Sequence, residues 1–154
     1  MKKFSVFAIA IAFLIITFTG ACATVSSQGL PAGMLLPADV KVIPPGPEIP
    51  KELAVWSGMW VGVWSGAMDS VLVVEEVGIT SAKTIYAFGT APQWGITRPE
   101  WYRVQGELAN DTLKLKLPNG RTVTYRMVEA NELKATYEGP DRDIRSTTRM
   151  TRVR

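Results

Sequence analysis

The chain contains no histidine and a single cysteine in 154 residues. Without imidazole, Ser-His-Asp triads, imidazole general bases and His-ligated metal sites are all excluded. One cysteine cannot form a disulfide within the chain, so a folded domain must stand on its core. Strong charge of either sign is also missing. The 17 basic residues include Lys2 and Lys3, and without them 15 face 14 acidic ones. No global field exists to draw in nucleic acid, which is not expected as a partner. Carboxylates, hydroxyls, Lys, Arg and Tyr are what remain for chemistry. The expectation is a non-enzyme with no catalytic residues, cofactor or metal.

The first segment is not part of a fold. Lys2 and Lys3 precede the apolar run Phe4–Phe18, which gives way to the small residues Thr19, Gly20 and Ala21. A basic start, an apolar stretch and a small-residue exit form a secretory signal peptide over residues 1–21. The run falls short of the about 20 apolar residues that a membrane span wants, so a retained anchor helix is the weaker reading. Directly after the exit stands Cys22, in the stretch TGAC. It resembles the lipobox of bacterial lipoproteins, although Thr19 stands where that family usually has Leu. The resemblance implies that Cys22 carries the acyl chains (palmitate among them), and Ala23 after it implies sorting to the outer membrane, facing the periplasm. Ala21-Cys22-Ala23 also fits an ordinary A-x-A cleavage site, which would remove the thiol.

Residues 22–52 hold Pro31, Pro37, Pro44, Pro45, Pro47 and Pro50. Proline fixes φ and donates to no ladder, so the stretch reads as a semi-rigid tether for the domain at 53–154. Met34, Leu35, Leu36 and Val42 are apolar enough for a second reading, an arm wrapped on the domain.

From Leu53 onward the pattern is β. Short alternating segments recur at roughly ten-residue spacing, as in all-β barrels and sandwiches. The predicted strands are Met59–Ser65, Ser70–Val77, Ala82–Gly89, Trp101–Leu108, Thr112–Leu117, Arg121–Met127, Leu133–Glu138 and Ile144–Val153. In the clearest, Leu113, Leu115 and Leu117 alternate with Lys114 and Lys116, one face buried and one wet. It runs into Pro118-Asn119-Gly120, a strong hairpin signal. The polar turn Asn110-Asp111 is echoed by Asn131-Glu132, as if the same device opened two successive up-strands of a meander.

The first strand lies in SGMWVGVWSG, residues 57–66. Trp60, Gly62 and Trp64 share one face of it, and Met59, Val61 and Val63 the other. Glycine between two indoles gives them room and lets the strand bend, as closing a barrel requires. Gly58-Met59-Trp60 resembles the G-x-W signature of the lipocalin and wider calycin group. That resemblance implies a small antiparallel up-and-down barrel of about eight strands, with Trp60 closing one end and an arginine of the last strand stacked across it. The chain ends TRMTRVR, so Arg149 and Arg152 are the candidates for that stack. The other short lipocalin motifs are missing, and eight strands also suit a two-sheet sandwich.

Few residues are placed for a site. Glu75 and Glu76 are neighbours, which in a regular strand point to opposite faces and cannot act as a pair. One of them turned inward would need Arg103 or Arg126 as partner. A solvated strand end is the plainer reading. The longest irregular stretch, Thr90–Glu100, carries Trp94 and Arg98 and runs into Trp101 and Tyr102. A loop of this length is often a lid or a packed Ω-loop, and Trp94 either lines a cavity mouth or folds back as a cap. The arginines Arg142, Arg145, Arg149, Arg152 and Arg154 suit lipid headgroups or, more plainly, a solvated edge. An eight-stranded barrel is either filled or just roomy enough for one small ligand. The expectation is an exported, lipid-anchored barrel binding a small apolar or amphipathic molecule, a lipid or an envelope fragment. Trp64, Tyr86, Trp94, Trp101 and Tyr102 would line its site. The alternative is a solid barrel that docks an envelope protein as a structural accessory.

Overall fold

The computed structural model describes residues 23–24, 29–109, 111–140 and 144–153. The signal segment, Cys22, Arg142 and Arg154 lie outside the described residues.

Eight antiparallel strands close into a barrel: β3 (Gly58–Trp64), β4 (Met68–Val77), β5 (Ser81–Phe88), β6 (Glu100–Ala109), β7 (Thr112–Lys116), β8 (Thr122–Glu129), β9 (Glu132–Glu138) and β10 (Arg145–Arg152). They follow in chain order, and β10 returns to pair with β3 through Met150↔Gly62, Thr151↔Val61 and Arg152↔Trp60. The closed ring excludes the sandwich. All eight expected strands are present, each displaced by no more than a residue or two at its ends. Asn119-Gly120 makes the expected hairpin, with Gly120 at φ 80°. Asp111 and Asn131 lie at the same end of the barrel, where β7 and β9 begin.

Alternation sorts the side chains. Trp60, Trp64, Leu72, Tyr86, Leu113, Leu115, Tyr125, Leu133 and Met150 fill the interior, all essentially inaccessible. A second cluster lies on the outer wall, where Met59, Val71, Val73, Ile85 and Ala87 face away from the barrel axis. Those outer residues stay dry because the N-terminal segment covers them. Leu30, Met34, Leu36, Val40 and Val42 pack onto them. Over these residues the proline-rich stretch is therefore an arm on the wall and not a tether, and the folded unit begins well before residue 53. The arm includes a two-residue ladder between β1 (Ala23–Thr24) and β2 (Lys41–Val42). Beyond it the chain crosses one end of the barrel in the short helix α1 (Lys51–Ala54) and enters β3.

An ion network pins the arm. Arg103 donates to Asp39 Oδ1 at 3.0 Å and to Glu75 Oε2 at 2.9 Å, while the Lys41 amide donates to Glu75 Oε1. Glu75 is buried. A register shift between Val74 and Glu76 marks a bulge in β4, which keeps both carboxylates on the outer wall. This corrects the expectation that neighbouring glutamates take opposite faces, which holds only for an unbroken pleat. It also removes Glu75 from any pocket: its arginine partner is outside the barrel, under the arm.

Candidate functional site

The two ends of the barrel differ. At the end where β3 begins, Trp60 is wholly buried, and its Nε1–H donates to the Trp56 carbonyl at 3.1 Å. The Arg152 guanidinium lies 4.1 Å from the Trp60 ring centroid and donates to the carbonyls of Ser57 and Val55. Burial lowers the Arg152 pKa from its ordinary value. With α1 and Trp56 beneath them, these residues seal this end. Arg149 takes no part. It is exposed and pairs with Glu132 on the outer wall, because two residues three apart in a strand cannot share a face. Arg152, in step with the inward Met150, is the one that stacks.

The opposite end is open. Residues 65–67, 89–99, 117–121, 139–140 and 144 surround it. They enclose two adjoining cavities of about 250 and 430 Å³. Met68, Ile96, Arg121 and Tyr137 border both. Tyr86 and Phe88 continue the wall of the smaller cavity, and Trp64 and Trp94 that of the larger. Ring contacts tie the wall together, with centroids 5.9 Å apart for Trp64 and Tyr137 and 5.7 Å for Tyr86 and Phe88.

Of the five aromatic residues expected to line a site, Trp64, Tyr86 and Trp94 border the cavities. Trp94 ends a 3-10 turn, Pro92–Trp94, with Gly95 at φ 74° letting the loop fold back. It is 46% exposed and so stands at the rim. Tyr102 is one step behind, its ring 5.9 Å from Phe88 and its hydroxyl donating to Glu100. Trp101 does not belong. It points outward, with the Arg103 guanidinium 6.0 Å from its ring, since Tyr102 takes the inward parity of β6.

Sequence reasoning missed Tyr137 and Arg121. Arg121 donates to the Tyr137 hydroxyl at 2.7 Å and sits 5.6 Å over its ring. The signal was there: Tyr137 continues the inward series Leu133, Ala135, and Arg121 the series Tyr125, Val123. Arg98 and Arg145 stand at the same rim, paired with Glu100 and Glu138. Arg126 pairs with Asp111 at the sealed end.

Polar groups inside the barrel are few. Burial pushes the Tyr86 and Tyr125 hydroxyls above the ordinary tyrosine range, so both keep their protons. Tyr125 Oη is buried without a hydrogen-bond partner among the described residues. The geometry offers an aromatic-walled opening with arginines at its rim. Among the described residues no three Asp, Glu, His or Cys side chains gather as a metal site would need.

No family model matches the chain, and no curated protein matches it. Among solved structures it is similar to EF1p2_mFAP2b bound to DFHBI, at 12% identity over 66% of this chain and 98% of that one, with a TM-score of 0.47. The barrel assignment rests on this chain's own strand pairing.

Proposed function

We propose that the chain is an exported, lipid-anchored barrel that binds one small apolar or amphipathic molecule at its open end, without turning it over. The observation that carries this reading is the asymmetry of the barrel: one end is plugged by Trp60 and Arg152, and the other opens into aromatic-walled cavities. Concave, mostly apolar sites with a few convergent polar groups are where small ligands bind, commonly in the mouths of barrels. The cavities lie near the lower end of the about 300–1,000 Å³ typical of such sites. That favours a compact molecule, or one segment of a lipid or envelope fragment, with its polar end toward Arg121. Export and anchoring are supported by the N-terminal sequence: the basic start, the apolar run and Cys22 in TGAC. An outer-membrane position facing the periplasm follows from Ala23 by the same reading.

The test is mass spectrometry of the full chain recovered from cell envelopes. Intact mass is expected to show cleavage before Cys22 with added acyl chains. Native spectra are expected to show a discrete extra mass, lost on denaturation. A bare polypeptide mass that persists after incubation with envelope extract would overturn the binding reading and move attention to a protein partner.

A further inference from the structure

The two cavities at the open end share four side chains. Met68, Ile96, Arg121 and Tyr137 border both, and every other described lining residue belongs to one cavity alone. A side chain that faces two adjoining spaces stands between them.

Each of the four comes from a different element. Met68 opens β4 and is buried, Ile96 sits in the 89–99 loop, Arg121 ends the 117–121 turn, and Tyr137 lies in β9. Met68, Ile96 and Tyr137 belong to one packed cluster. Arg121 is braced on it: the guanidinium donates to Tyr137 Oη at 2.7 Å and lies 5.6 Å from the ring centroid. Its backbone is held as well. The Arg121 N–H donates to Asn119 Oδ1, and its carbonyl accepts from the Leu117 N–H at 2.8 Å. Tyr137 is buttressed in turn by the Trp64 ring.

We propose that Arg121, braced on Tyr137, is a partition that sets the size of the ligand: a compact ring compound fits on one side of it, and a long lipid chain cannot run through. This deepens the binding reading above and rests on it, selecting the compact molecule over the lipid segment. The larger cavity, about 430 Å³, is the one that takes it. Trp64 and Trp94 give that side apolar faces, and Ser65, Ser146 and Arg145 give it a polar edge.

Arginine suits the role. Its long stem packs on apolar neighbours while its planar head spans the gap. Swinging it aside would break a charge-assisted hydrogen bond and a cation–π contact together.

The experiment titrates two apolar probes into the full chain: ethylnaphthalene, and dinaphthylethane, which carries a second naphthyl group. In the parent that second group stays outside the partition, and the two probes are expected to bind with similar affinity. In Arg121→Ala it enters the other cavity, and dinaphthylethane should then bind at least about tenfold more tightly than ethylnaphthalene, as burial of a further apolar group provides. Met68→Ala opens the partition from the opposite side and should gain the same preference. Arg121→Met fills the place of the arginine without its charge and should behave as the parent, which separates a wall from a charge. A parent that already prefers dinaphthylethane would overturn the partition and leave the open-end site standing. So would a preference that appears in neither alanine variant, or equally in Arg121→Met. Binding of neither probe to the parent would overturn both.

Discussion

Gly62 and Met150 face each other across the seam where the barrel closes, and a methyl group on Gly62 would sit 2.8 Å from Met150 Cγ and 2.6 Å from the Arg149 carbonyl oxygen. The glycine between Trp60 and Trp64 therefore does more than make room for two indoles. It lets the last strand press against the first. Gly62→Ala is expected to lower stability by about 1–3 kcal/mol, as overpacking does. Gly62→Val should be worse, since the contact is with backbone and cannot swing aside. Urea unfolding followed by tryptophan fluorescence measures both.

Arg152 should be more than a surface charge. It stacks on Trp60 and satisfies two carbonyls of the segment that crosses the sealed end. Arg152→Ala is expected to cost about 2 kcal/mol from these combined losses. Arg152→Lys should recover only part of it, because an ammonium cannot both stack flat and fork to two oxygens. Ligand affinity at the far end should be unchanged in either variant, which titration with ethylnaphthalene, an apolar aromatic probe, would check.

The arm should loosen in acid. Its hydrogen bond from Arg103 holds the Asp39 carboxyl below the usual aspartate range. A depressed carboxylate contributes stability above its unfolded pKa, near pH 4, and that contribution is lost as pH falls through the folded value. Protection from hydrogen exchange across residues 30–43, taken relative to the intrinsic rate at each pH, should therefore be high at neutral pH and fall below about pH 4, before protection in the barrel strands is lost. Asp39→Asn should exchange faster at neutral pH and respond less to acid. Arg103→Ala is the severe case, at about 3 kcal/mol, because it strands the buried Glu75 charge.

Trp94 and Trp101 separate rim from wall. Trp94→Ala is expected to weaken small-molecule binding about tenfold, with little change in stability, because the side chain is half in solvent. Trp101→Ala should leave binding as it was. Titration of both variants with ethylnaphthalene decides the matter, and equal losses would mean that the site extends over the outer wall.

Deleting residues 1–50 should yield a poorly soluble protein. The outer cluster of Met59, Val71, Val73, Ile85 and Ala87 would lose its cover, and a bare apolar patch on a strand face invites association. Size-exclusion chromatography of the truncated chain against the full one measures this. A monomer of parent stability would mean that the arm is dispensable.

How far the sequence reveals this arrangement depends on which physical signal each part leaves. Strands announce themselves through alternation: Leu113-Lys114-Leu115-Lys116 can be read without coordinates, and so can the Asn119-Gly120 turn. The G-x-W stretch with a distant arginine marked the sealed end. Parity alone, applied to the last strand, would have chosen Arg152 over Arg149, and applied to β6 it would have chosen Tyr102 over Trp101. The arm was ambiguous because proline marks extended chain equally well in solvent and on a surface. The clue to its packing is on the barrel: Val71 and Val73 break the polar alternation expected of an outer face, and something had to cover them. The bulge at Glu75 left no such trace, since one extra residue in a ten-residue strand looks like a strand.

The route of the arm also sets a direction for the molecule. Gly29 lies against Val153 beside the plug, the chain climbs to Met34 against Gly89 near the opening, and it returns to Glu75 before crossing beneath the barrel. Ala23 and Thr24 pair with the returning strand at Lys41 and Val42. Residues 23 and 24 thus lie on the plugged half, and the opening points the other way. On the proposed reading of an N-terminal anchor, the barrel would stand on its stopper and present its aromatic cup to the aqueous side.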